Sequence, residues 1–360
     1  MRRLALVSMI MCAPISAGAV STLTPDEAQI LQEGLIRTAD DFILPAYEAQ
    51  AFAATTMTDL LGAYCDGDGE GDIEATREAY AATFLAWQRA SVIQYGPIAE
   101  AEGPMRVQLW PDPKGFTRRA VRSALRAEDP ALIEDGGLDG RSIALTGLTA
   151  LEHLLFSDLE PDTYACDLAT AISKFQTNLA QELVLEWLPG SAFRDDFDTA
   201  AKGNARYVNV DTVVREFLSG SVVYVDRLRK FKLLRGLGTE PGAARIERIE
   251  ARKSDLGLQS IEVSFRTLRD LYDTPFGLFD VAPDIGGSTD YFLLGETASS
   301  IADTLAVETR SLSDVVLEDG AQAAELRRYA DLVLYHESFL KTGFLASIGL
   351  SAGFTSADGD

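Results

Sequence analysis

The chain has 360 residues, 47% hydrophobic and 24% charged, an ordinary composition for a protein with a sizeable core. Its formal charge of −23 repels phosphate backbones and anionic lipid, which argues against a nucleic-acid partner. The longest uncharged apolar run, Leu4 to Ile15, is too short to span a bilayer, which takes roughly 20 residues, and charges interrupt every later apolar segment.

That N-terminal run reads as an export signal. Arg2 and Arg3 precede it, Ala17-Gly18-Ala19 follows, and cleavage is predicted after Ala19. Met9-Ile10-Met11 lacks the small residues of a lipoprotein cut before Cys12. The expectation is therefore a soluble protein of the periplasm or cell envelope, with no transmembrane segment in the mature chain. Cys65 and Cys166 remain after cleavage. In an oxidising compartment a disulfide between them is favoured over two buried free thiols.

Helix signals recur along the rest of the chain, and no segment alternates at strand spacing. Thr24-Pro25-Asp26-Glu27 opens a helix predicted to run to about Tyr64. An acidic, Gly-containing stretch follows. Asp66, Asp68, Glu70, Gly71 and Ile73 match several calcium-loop positions, but Arg77 stands where a bidentate Glu belongs. An acidic loop opening the next helix explains these residues equally well.

Further helices are predicted near 73–95, 117–128, 141–157 and 166–188, then near 207–236, 254–273, 290–311 and 320–346. Gly and Pro mark the connections at Gly96-Pro97, Trp110 to Pro113 and Pro189-Gly190, and again at 238–242 and 275–287. The fold class expected is all-α, as two helical bundles in series: residues 20–190 and 191–360, after a signal at 1–19. The basic cluster Arg227, Arg229, Lys230, Lys232 and Arg235 falls at a predicted helix end, where positive charge suits the dipole.

Two predicted helices are apolar on every side, the mark of burial. One carries Glu152 as its only acid; in the other, Arg89 is the only charge between Glu78 and Glu100. A lone charge in hydrocarbon costs several kcal/mol unless paired. The expectation is that Arg89 and Glu152 meet, directly or through a third polar group, with Arg106 as the alternative partner. Such a pair either fixes the bundle register or forms a polar site in the core.

The same blocks carry a resemblance. Gly147-Leu148-Thr149-Ala150-Leu151-Glu152 resembles the imelysin signature Gly-x-His-x-x-Glu. Trp87-Gln88-Arg89, Tyr95-Gly96-Pro97, Trp110-Pro111-Asp112, Arg252 to Tyr272, and Gly353-Phe354 through Asp358-Gly359-Asp360 are similar to blocks of the family's predicted periplasmic branch. The resemblance covers roughly residues 25–360. It implies paired four-helix bundles with a site near the surface between them, and an association with bacterial iron acquisition; some members are classed as peptidases. Here Thr149 occupies the histidine position, so the imidazole ligand or base is missing. Thr149 and Glu152 still share a helix face at i, i+3.

No other motif supplies chemistry. The two histidines, His153 and His336, have no zinc-ligand spacing, and phosphate loops and nucleophile elbows are absent. No catalytic residue is assigned. The ligand-binding candidates are Gly147, Thr149, Glu152, Arg89, Arg106, Trp110 and Asp112. Glu152 is at most a metal ligand, with iron or another metal as the cofactor candidate and carboxylates from separate helices left open. The first functional expectation is non-catalytic binding of a small ligand, metal complex or envelope partner, linked to iron acquisition. The rivals are an imelysin-type peptidase and a structural scaffold.

Overall fold

The computed structural model describes residues 22–68 and 71–350, and these fold as helices with no strand among them. The predicted signal at residues 1–19, Glu70 and the C-terminal Gly353-to-Asp360 block lie outside the described residues.

Helix α1 (Pro25–Thr38) starts where the capping signal predicts. The Glu27 amide donates to the Thr24 hydroxyl, and the Glu27 carboxylate accepts from the Thr24 amide at 2.7 Å, closing a capping box. The long helix expected to Tyr64 is instead interrupted by a π turn, Ala39–Ile43, before α2 (Leu44–Cys65). Pro45 has no N–H to return to Asp41, and the Leu44 amide reaches back to the Ala39 carbonyl instead. Helix α3 (Ile73–Ala90) is capped by the Asp72 carboxylate, which accepts from the Glu74 amide at 2.9 Å.

The predicted helix 141–157 also breaks. Gly147 is extended, at φ −97° and ψ 172°, separating Ile143–Thr146 from a helix over Leu148–Leu155. A Cβ at Gly147 would lie 3.0 Å from the Val107 carbonyl oxygen, so the glycine lets the chain start its second helix hard against the backbone of 106–107. With α4 (Phe116–Ala127) preceding it, this second helix is α5; α6 (Tyr164–Trp187), α7 (Val210–Arg227), α8 (Gly257–Tyr272), α9 (Asp290–Ala306) and α10 (Ala321–Ser338) follow.

Helix α2 packs between α3 and α6, and α8 packs along α9 and against α3. Cys65 and Cys166 are disulfide-bonded with their Cα atoms 5.5 Å apart, tying the end of α2 to the start of α6. Buried apolar side chains form one contiguous cluster from Leu31 to Leu350, with Tyr47, Phe84, Trp187, Phe265 and Tyr272 at or near zero exposure. Among the described residues no helix is long and apolar enough to cross a membrane.

Candidate functional site

The signature helix α5 is held from three sides. The Tyr80 hydroxyl on α3 donates to the Leu148 carbonyl at 3.2 Å. The Thr149 hydroxyl donates to the Leu109 carbonyl at 3.3 Å. One oxygen of the Glu152 carboxylate accepts the backbone N–H groups of Lys253 and Ser254, both at 3.0 Å, and the Ser254 hydroxyl at 2.8 Å. The receiving loop is bent by left-handed Ala251 (φ 47°) and Asp255 (φ 56°), which aim successive amides at one point. Burial raises the Glu152 pKa, and the Ser254 and Lys253 hydrogen bonds oppose that rise without cancelling it.

Glu152 therefore does not meet Arg89, and that expectation is corrected. Arg89 pairs with Asp270, and its guanidinium lies 5.0 Å over the Phe42 ring. Both residues touch the α8 region, but at opposite ends. Ser254 precedes α8 and Asp270 sits in its last turn, and the helix between them is about 20 Å long. Arg89 is also not sealed in hydrocarbon: its side chain is 31% exposed and borders a cleft with Asp41, Arg269 and Asp273.

A buried ion pair is present, but it consists of other residues. Lys232 Nζ lies 2.9 Å from a Glu250 oxygen, with both side chains under 10% exposed. All three Lys232 protons are used, toward Glu250, the Gln88 side-chain carbonyl and the Ser260 hydroxyl. The Ser260 hydroxyl in turn donates to the same Glu250 oxygen at 2.7 Å, and Gln108 donates to the other Glu250 oxygen at 2.8 Å. The Gln108 carbonyl accepts from Trp87 Nε1 and from Gln88.

Burial works to raise Glu250, but the Lys232 ammonium and these donors outweigh it and hold the carboxyl below its ordinary value. The ion pair thus persists because it is fully hydrogen-bonded. Glu250 lies three residues before Lys253, so the 250–254 loop is pinned both by this network and by Glu152.

The remaining candidates have separate tasks. Asp112 accepts from the Phe116 and Thr117 amides, each at 2.8 Å, anchoring the start of α4. The Arg106 guanidinium lies 4.9 Å over the Phe175 ring, and its carbonyl accepts from Gln176. Trp110 precedes a cis peptide to Pro111, and its carbonyl accepts from Arg227 at 2.7 Å. His153 is half-buried, and its pKa falls to about 4 through burial first and then the charges of Lys253 and Arg118.

The basic cluster is not a uniform helix-end patch. Lys230 pairs with Asp226, Arg229 donates to the Ala330 carbonyl, Lys232 enters the core, and Arg235 lies over the Trp110 ring. Sequence reasoning missed Lys232, Glu250, Gln108 and Ser260. The one available signal was Phe231-Lys232-Leu233-Leu234, a lysine inside an apolar stretch.

Among the described residues, no three His, Cys, Asp or Glu side chains converge as a metal cage. The arrangement joins two distant segments, 147–152 and 250–254, and presents the 106–112 loop beside them.

Comparison with known proteins places this geometry. The imelysin profile (peptidase M75) matches residues 43–355. Iron-regulated protein A of Synechococcus elongatus is 24% identical over 201 residues, covering 54% of this chain and 52% of that protein. The chain thus aligns with about half the length of that curated relative. Two crystal structures share the fold. An imelysin-like protein from Psychrobacter arcticum 273-4 has TM-score 0.73 at 18% identity, over 91% of this chain and 98% of its own. A protein from Parabacteroides distasonis assigned as an iron-regulated protein A precursor has TM-score 0.70 at 13% identity, over 91% and 97%. With the family profile matching residues 43–355, most of its length, this chain belongs to the imelysin family.

Proposed function

We propose that this imelysin-family chain is an exported protein of the cell envelope that binds a small ligand, metal complex or partner in iron-related physiology, without catalysing a reaction. One observation carries the non-catalytic reading: the signature side chains are already occupied. Thr149 replaces the histidine and its hydroxyl is bonded to Leu109, while a Glu152 oxygen receives three donors from the 253–254 loop. The Glu152 carboxylate thereby holds two segments together, and the signature imidazole that would serve as base or ligand is replaced by Thr149.

Relation to iron is supported by the relative named iron-regulated protein A. Export is supported by the N-terminal sequence and by the Cys65–Cys166 disulfide, a bond that persists in oxidising compartments. The peptidase alternative rests on the name of the family profile. Two assays separate the readings: growth of a deletion strain under iron limitation, complemented by wild type or Glu152→Ala, and cleavage of unfolded casein by purified protein. Wild type should restore growth, Glu152→Ala should not, and casein should stay intact. Cleavage lost in Glu152→Ala would contradict the proposal.

A further inference from the structure

We infer that Trp110, Arg235 and Arg248 form a binding site for a small oxyanion, the carboxylate or phosphate group of a free solute. This deepens the ligand-binding reading above and rests on it.

Two donors at one contact have nothing to bond. Trp110 Nε1 and Arg235 Nε are both buried, and neither has a hydrogen-bond partner. Buried N–H groups are paired in the great majority of cases, so two orphans on touching side chains call for a missing acceptor. The Arg235 guanidinium lies there, 5.9 Å over the Trp110 ring and 5.8 Å over the Phe231 ring. Solvent does not reach either N–H in this arrangement, so the acceptor enters as the half-exposed Arg235 side chain swings off the rings.

Charge points to the same ligand class. In a chain of net charge −23, neither Arg235 nor Arg248 forms an ion pair among the described residues. The Ile246–Arg248 turn packs on Leu234–Leu237, which brings Arg248 beside Arg235, and its charge adds to burial in disfavouring the Arg235 cation. Behind them Arg227 donates to the Trp110 carbonyl and also has no ion pair among the described residues. Neighbouring guanidiniums repel one another, and an oxyanion both relieves the repulsion and accepts from the orphan donors. The strongly acidic remainder of the molecule favours a small free anion over an anionic membrane.

The test is titration of full-length mature protein with potassium phosphate and with sodium citrate, at ionic strength held constant by potassium chloride. Binding is read by calorimetry and by tryptophan fluorescence, with Trp110→Phe separating the Trp110 signal from those of buried Trp87 and Trp187. Saturable binding of at least one anion is expected. Arg235→Gln should weaken it about tenfold or more, the loss of a charge-assisted hydrogen bond. Trp110→Phe should weaken it and remove most of the fluorescence change, while Arg328→Gln, on an exposed pair with Glu325, should leave it unchanged.

Arg235 is half-buried, so its variant keeps the test usable if Trp110→Phe does not fold. No saturation by roughly 10 mM of either anion, equal binding by Arg235→Gln, or binding only to phosphatidylglycerol vesicles would each overturn the inference. Anion occupancy is read without reference to casein cleavage or iron-limited growth, so failure here and failure of the ligand-binding reading are seen separately.

Discussion

Removing one partner of the Lys232–Glu250 pair strands the other charge among Gln88, Gln108 and Ser260, with no water to replace it. Lys232→Met should therefore cost about 3–5 kcal/mol in denaturant unfolding, and Glu250→Gln should couple to it in a double-mutant cycle. By contrast, Arg89→Ala removes a half-exposed pair and should cost about 1 kcal/mol or less. Arg89→Ala and Glu152→Ala should be additive within about 0.5 kcal/mol, because their side chains lie at opposite ends of α8; a coupling well above that would put them back in contact.

Among single residues, His336 gives a prediction in pH. It is fully buried against Tyr272, and burial lowers its pKa to about 4. The unfolded chain binds the proton from about pH 6.5 downward while the folded chain still refuses it. Stability is thus lost as pH falls from 6.5 toward 4, by roughly 3 kcal/mol from this residue. Unfolding curves of His336→Phe should show a correspondingly shallower acid loss than wild type; an unchanged slope would contradict the assignment.

At the scale of elements, Gly147 decides how α5 meets the 106–109 segment. Gly147→Ala places a Cβ 3.0 Å from the Val107 carbonyl at an ordinary φ, so the harm is steric and should be about 1–3 kcal/mol. Amide exchange at residues 106–109 should speed up in the same variant. Such breaks are poorly legible in sequence. Apolar periodicity runs straight through Gly147, and nothing local shows that a distant carbonyl will press on it. The π turn at Leu228–Leu233 is hidden too, because it alters the pitch without altering composition, whereas Pro45 marks the one at Ala39–Ile43 in the sequence itself.

The capping box at Thr24 and Glu27 was legible because both partners are three residues apart. Isolated charges in apolar helices showed that Arg89 and Glu152 needed partners. They could not show which, since Asp270 lies 181 residues from Arg89 and the partners of Glu152 are largely backbone amides.

For the whole molecule, the disulfide and the continuous core act together. Cys65 and Cys166 are 101 residues apart, a loop whose closure contributes on the order of 4.7 kcal/mol in the chain-entropy model. Non-reducing peptide mapping should recover the linked peptides, and reduction should lower the unfolding midpoint. Two alkylatable thiols in the oxidised native protein would contradict the bond.

Ligand binding without catalysis is the central claim at this scale, and its most direct test is native mass spectrometry with elemental analysis of protein purified under native conditions from its own cells. The account predicts a bound solute or metal complex in wild type, lost in Glu152→Ala, and no stoichiometric zinc in either. Tightly bound zinc that disappears in Glu152→Ala would contradict it and restore a hydrolytic role to the signature carboxylate.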